Sequence, residues 1–213
     1  MGRVIFALMK REYYSASIPA FCATTTEKVV GFLTTGSAAA GFPVEPTQTG
    51  AWVQQIEILQ SALQGKEGKV YFEYSIPRMG QRIDVLLIMG PVIFVLEFKV
   101  GAKEFTSYAI DQVVDYALDL KNFHETSHKQ IIAPILIATE AAAGLFAVSA
   151  TASEPTLLDP IKCSSSQLPA VLQAILQFAT GPKINPTDWE NGRYCPTPTI
   201  VEAAMALYRG HSE

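Results

Sequence analysis

The chain has 213 residues and a formal net charge of −4, with 49% apolar and 17% charged residues. That length fits one domain with extensions, and a charged fraction below the usual ~25% points to a well-buried core. The acidic balance excludes nucleic-acid binding by bulk positive charge, so any phosphate contact must come from a local patch or a bound cation.

The N-terminal stretch MGRVIFALMKREYY holds only six apolar residues between Arg3 and Lys10, too few for a signal-peptide core. The rest of residues 1–50 gives the weakest pattern. TTTEKVVGFL predicts a short capped helix, and GSAAAGFPVEPTQTG predicts a loop rich in Gly, Pro and Thr. AWVQQIEILQSALQG predicts a helix with Trp52, Ile56, Leu59 and Leu63 as its apolar stripe and Gly65 as its stop. Three strands follow: KVYFEYSIP, RIDVLLIMG after an RMGQ turn, and PVIFVLEFKVG after a Gly-Pro break. The last two are almost continuously apolar, as strands covered on both faces are. Their combined run, VLLIMGPVIFVL, is broken by Gly90-Pro91 and flanked by Asp84 and Glu97, so it cannot span a bilayer.

FTSYAIDQVVDYALDLKNFH predicts a second helix with Ile110, Val113, Val114, Ala117 and Leu120 facing inward. QIIAPILIAT predicts a fourth strand in which Pro134 is awkward, since proline favours edges and bulges. LFAVSATA is a candidate fifth strand. QLPAVLQAILQFAT predicts a helix with Pro169 in its first turn, and TPTIVEAAMALYRG a last helix with a capping box in Thr199 and Glu202. Helix, three strands, helix, strand describes an α/β sandwich. Short turns favour antiparallel pairing among the first three strands, and the intervening helix favours a parallel crossover to the fourth, so the sheet should be mixed. Cys22, Cys163 and Cys195 are widely spaced with no CxxC, which predicts reduced thiols in a cytoplasmic protein.

VLEFKVG raises the functional question. Glu97 and Lys99 share one strand face, while Leu96, Phe98 and Val100 share the other. Charges on a strand this apolar are costly unless paired or holding a ligand. Asp84, one strand earlier, comes beside Glu97 if the two strands are neighbours. Two such carboxylates repel unless a hard cation lies between them, and Mg²⁺ or Mn²⁺ takes one or two carboxylates with waters and phosphate oxygens. Lys99 would position the attacking water. Gln112 and Tyr116 lie four apart on one helical face, and Glu57 on the earlier helix could present a third carboxylate. Arg78, Arg82, Lys99 and Lys103 form a local cationic patch suited to steering phosphate.

Asp84, then Glu97-Phe98-Lys99, then Gln112-Val113-Val114-Asp115-Tyr116 resembles the PD-(D/E)xK nuclease pattern, with the QxxxY helix of its RecB-like branch. The Glu57–Asp84–Glu97–Lys99 spacing is similar to Holliday-junction resolvases. Ile83 stands where the family has the proline of its "PD". GRYCPTPTIVEAAMALYRGH, with this core before it, resembles the N-terminal region of predicted superfamily I DNA/RNA helicases; no GxxxxGK[ST] occurs, so the chain would be the front module without the motor. The resemblance implies a restriction-endonuclease-like α/β/α sandwich, with an N-terminal extension over residues 1–50, a nuclease-like core over 51–152 and a C-terminal helical extension over 153–213. It implies a metal-dependent nuclease acting on DNA, or on RNA, with a helicase domain as partner in cis or in trans. Asp84 and Glu97, with Glu57, would hold the metal, and Lys99, Gln112 and Tyr116 would complete the catalytic set.

The alternative is a non-catalytic nucleic-acid-binding or docking module for a helicase, in which Glu97 and Lys99 form a plain salt bridge and Glu57 is solvated. HETSH, residues 124–128, matches the zinc-protease HExxH pattern. That chemistry needs both histidines on one face of a continuing helix and a third ligand. Here an apolar strand follows almost at once and the only other histidine is His211, so a surface turn without zinc is expected.

Overall fold

The computed structural model describes residues 11–42, 44–77 and 80–210. In chain order the elements are β1 (Tyr14–Ser17), α1 (Ile18–Cys22), α2 (Thr26–Ala39), α3 (Pro46–Ala62), β2 (Lys69–Ile76), β3 (Gln81–Met89), β4 (Val92–Lys99), α4 (Ser107–Phe123), β5 (Ile131–Ala138), β6 (Ile161–Cys163), α5 (Leu168–Phe178), α6 (Pro186–Glu190) and α7 (Pro198–Gly210). The six strands form one sheet in the order β1-β2-β3-β4-β5-β6. Pairing is antiparallel from β1 to β4 and parallel from β4 to β6. The reason is the connection lengths: the two-residue turn Gly90-Pro91 can only return the chain antiparallel, whereas α4 carries it back for a parallel neighbour.

The protein is thus α/β, a mixed sheet flanked by helices. One face of the sheet packs Val85, Leu87, Phe94, Leu96 and Phe98 against Trp52, Ile56 and Leu59 of α3 and Val171, Leu172 and Ile175 of α5. The other packs Leu86, Ile88, Ile93 and Val95 against Val113, Tyr116, Ala117 and Leu120 of α4 and Trp189 of α6. Seven of the eight β4 residues are buried. Each such apolar side chain contributes roughly 1.5–3 kcal/mol, which offsets the cost of carrying Glu97 on the same strand. Helix α4 begins where Thr106 Oγ1 accepts from the Ala109 amide at 3.3 Å, a side-chain N-cap. Among the described residues no helix is long and apolar enough to cross a membrane.

Several expectations need correction. The stretch read as a loop over 36–50 is largely helical, because α2 continues to Ala39 and α3 starts at Pro46, with proline in its first turn. LFAVSATA forms no strand. Its Leu145 is fully exposed, and the place beside β5 is taken by β6, only three residues long. The cap of α7 falls on Thr197, whose Oγ1 accepts from the Ile200 amide at 3.4 Å, while Thr199 lies inside the helix. On α4, Tyr116 is buried, and Ile110 and Val114 are only half-buried. Pro134 sits mid-sheet rather than at an edge. Ile132 donates to Thr156 on the outer side of β5, and β6 pairs only from Ile135 onward, so the ladder is interrupted where Pro134 would have had to donate. The segments assigned to the extensions contribute to the central sheet itself: β1 comes from residues 1–50 and β6 from 153–213.

Candidate functional site

The site forms where β3 and β4 part. Their register runs from Met89–Val92 at the turn to Val85–Leu96 and stops there. A continuing antiparallel ladder would give the Phe98 amide to Ile83. Instead the Asp84 carboxylate takes it, with Phe98 N donating to Oδ2 at 2.8 Å. One residue therefore ends the ladder and fixes its own carboxylate against β4, next to Glu97 at the following rung. On the other side of β3, the pairs Phe72–Val85 and Tyr74–Ile83 flank a skipped position occupied by Glu73 and Asp84. Glu73 has φ of 54°, a conformation that costs a non-glycine residue and marks a strained point in β2. Glu73, Asp84 and Glu97 thus occupy one rung across three adjacent strands.

Lys99 lies on the α4 side with Glu97, as strand alternation requires. Its ammonium donates to Glu97 Oε1 at 2.8 Å and to Gln112 Oε1 at 2.9 Å. Gln112 Nε2 donates to the Tyr116 hydroxyl at 2.7 Å. Lysine can only donate, so the amide orientation of Gln112 follows from chemistry. Since residues 112 and 116 stack one turn apart, the chain Tyr116–Gln112–Lys99–Glu97 locks the lysine in place. Two of its three N–H groups are used.

The electrostatics are those of a crowded acidic site. Burial and then the Glu97 charge push the Asp84 carboxyl well above its usual range, against the Phe98 amide that favours its ionised form. Burial also raises Glu97, partly opposed by Lys99. Glu97 is 3% exposed, and its Oε2 is buried without a hydrogen-bond partner. Glu73 is raised by burial and held by Trp52, whose indole N–H donates to Oε1 at 2.8 Å. Tyr116 is pushed up to about 12, chiefly by burial and further by Glu97 and Asp84, so it stays neutral while its oxygen accepts from Gln112.

Asp84, Glu97, Lys99, Gln112 and Tyr116 are therefore brought together. Glu57 is exposed on α3, and the third carboxylate beside the pair is Glu73 instead. The sequence concealed it, because its proximity comes from cross-strand register and not from spacing. Among the described residues no group of three or more His, Cys, Asp or Glu side chains is arranged to hold a metal ion. Mg²⁺ asks for less than three such ligands, one or two carboxylates with waters. Lys103 is exposed, 4.0 Å from Glu140, and Arg78 lies outside the described residues.

The HETSH stretch is a turn, as expected, but not wholly at the surface. Helix α4 ends at Phe123, a short 3₁₀ turn covers Glu125–Ser127, and His124 is fully buried. Its Nδ1 lies 2.7 Å from Ser127 Oγ, which in turn accepts from the Trp189 indole at 2.7 Å. His211 lies outside the described residues. Comparison with family models, curated proteins and solved structures returns no match.

Proposed function

We infer that the chain is a divalent-metal-dependent phosphodiesterase acting on nucleic acid, DNA first and RNA as the alternative substrate. The observation that carries this reading is the buried, unpartnered Glu97 Oε2 beside Asp84, on a rung of carboxylates whose protons are held tightly. Ionising such a carboxyl without a donor or a cation beside it is expensive. A hard cation accepted by Asp84 and Glu97, completed by waters and phosphate oxygens, removes the cost. The order α3-β2-β3-β4-α4-β5, with the polar cluster where β3 and β4 diverge, supports a restriction-endonuclease-like core. A helicase motor, in cis or in trans, is the partner such a module would serve.

In this reading each side chain has a separate task. Asp84 and Glu97 hold the ion, which when bound would polarise a phosphoryl oxygen and lower the pKa of its water. Lys99, fixed by Glu97 and Gln112, points its remaining N–H at the attacking water or at a phosphate oxygen. Tyr116 keeps its proton and anchors Gln112. The docking-module alternative draws its support from the net charge of −4 and from the completeness of the Lys99–Glu97 ion pair.

The experiment is cleavage of single-stranded, duplex and branched DNA and RNA with Mg²⁺, Mn²⁺ or EDTA, using wild type, Asp84→Asn and Lys99→Met. Metal-dependent cleavage by wild type, lost by at least a hundredfold in both variants, is expected; general acid–base and metal contributions each exceed that figure. No cleavage of any member, with either metal, favours the docking module.

A further inference from the structure

Arg82 stands two residues before Asp84, where the N-terminal part of the chain closes over β3. Its guanidinium carbon lies 4.6 Å from the centroid of the Tyr13 ring and 4.7 Å from that of Phe42. Both distances are within the range of cation–π attraction. Its Nε is buried without a partner, and among the described residues no acceptor is hydrogen-bonded to any of its N–H groups. A guanidinium has five donors and is never neutral in a protein. A half-buried guanidinium with no hydrogen-bonded acceptor among the described residues is unlike an ordinary structural arginine.

The two rings are held in place by the end of α2. Gly36 of α2 lies so close to Tyr13 that a Cβ there would come within 2.7 Å of the Tyr13 Cβ. The next residue, Ser37, donates from Oγ to the Phe42 carbonyl at 3.1 Å, and the Phe42 amide donates back to the Ser37 carbonyl at 3.1 Å. The end of α2 thus fixes both aromatic surfaces, and Phe42 remains 54% exposed, so the clamp opens toward solvent. Glu73, at the end of the carboxylate rung, feels the Arg82 charge.

The geometry points to Arg82 as the residue that grips a substrate phosphate beside the carboxylate rung, with Tyr13 and Phe42 holding its guanidinium face and its two terminal NH2 groups left to bind. A planar fork of donors fits the paired oxygens of a phosphodiester. This deepens, and rests on, the phosphodiesterase reading: the anion is the phosphate adjoining the one attacked.

The test is binding of a forked DNA with single-stranded arms, with Ca²⁺ in place of Mg²⁺, across a salt series. Arg82→Gln is expected to weaken binding roughly ten- to a hundredfold and to flatten the plot of log K against log salt by about 0.7–0.9, the slope of one phosphate contact. Arg82→Lys should keep the slope and lose several-fold in affinity. Phe42→Ala, at an exposed position, should lose several-fold with the slope unchanged. The Mn²⁺-induced rise in melting temperature should survive in all three. Unchanged slope and affinity in Arg82→Gln overturn this assignment alone. So does a variant that loses only melting temperature, which would make Arg82 a counter-charge for Glu73. If Arg82→Gln does not fold, Arg82→Lys decides, and binding equal to wild type overturns the assignment. A wild type that does not bind the fork overturns both this and the phosphodiesterase reading.

Discussion

Among the described residues, two of the buried polar atoms without a partner invite comparison: Glu97 Oε2 near the end of β4, and His124 Nε2 behind α4. Their chemistry differs. Around His124 the hydrogen-bond partners are neutral. The Trp189 indole donates to Ser127, leaving the Ser127 hydroxyl proton for His124 Nδ1, and the imidazole ring packs 4.6 Å from Trp189 and 5.6 Å from Tyr194. Burial, then the Arg11 and His128 charges, hold its pKa down to about 3. Around Glu97 there are three carboxylates and one lysine, and the acids are pushed up. Neutral burial of the first kind is what packing produces. Like charges on a shared rung oppose folding and persist where something is gained from them. Of HETSH, His124 and Ser127 are buried in the core, while the EFK stretch carries the buried Glu97.

That contrast can be broken at its strongest point. Trp189→Ala should cost about 3–5 kcal/mol in urea unfolding, the range for a large buried aromatic, because it empties the contact between β2 and His124 and takes the donor from Ser127. The Mn²⁺ response should be unchanged. A cost under about 1 kcal/mol would show that the His124 cluster is not structural.

The carboxylate side comes next. With Mn²⁺ at ~100 times its dissociation constant, wild type should gain about 2.7 kcal/mol over EDTA by mass action. Asp84→Asn should gain nothing from Mn²⁺, yet be neutral or more stable than wild type in EDTA, since one of the like charges is gone. Thermal unfolding of both proteins through a Mn²⁺ titration measures this. A melting temperature indifferent to Mn²⁺ in wild type, with Asp84→Asn strongly destabilised in EDTA, returns Glu97 and Lys99 to an ordinary salt bridge.

The smallest effect is a difference in pH slope. Asp84 and Glu97 have raised pKa values in the folded state, so the native protein keeps protons that the unfolded chain has released. Their contribution is fully present below the unfolded carboxyl range near about 4 and is lost as pH rises through the raised values. His124 runs the other way: its folded pKa is depressed, so its contribution is present above about 6.5 and is lost as pH falls toward about 3. In EDTA, Asp84→Asn should flatten the loss on the alkaline side, and His124→Gln the loss on the acid side. Urea midpoints from pH 4 to 8 read both, and a slope unchanged in Asp84→Asn would show that its proton is not held.

Residues 51–138 were legible because their patterns are strong and their partners are close in sequence. The apolar runs of β3 and β4 can only be strands covered on both faces, and the Gly90-Pro91 turn alone places Asp84 near Glu97. α4 announced itself by its period, and the four-residue spacing put Gln112 and Tyr116 on one face. What escaped depends on distant partners. YSAS, in β1, is a strand only because β2 offers it an edge, and IKC, in β6, only because β5 does. Glu73 escaped because its strand bends at a positive φ, which no spacing rule reports. Glu57 is visible in sequence because it flanks an apolar helix stripe, whereas a rung across three strands is not. Arg82 appears in the sequence as one of four cations spread over residues 78–103; the rings that single it out come from residues 13 and 42.

The bond between Asp84 and the Phe98 amide has a practical consequence. Asparagine at position 84 keeps an oxygen that can accept from that amide, so the mouth between β3 and β4 holds its shape while the charge disappears. Alanine frees the amide, and the two strand ends are then at liberty to zip one rung further and close the mouth. An Asp84→Ala protein is therefore a poor blank: its inactivity would mix lost metal affinity with a reshaped entrance, and only the asparagine version separates the two.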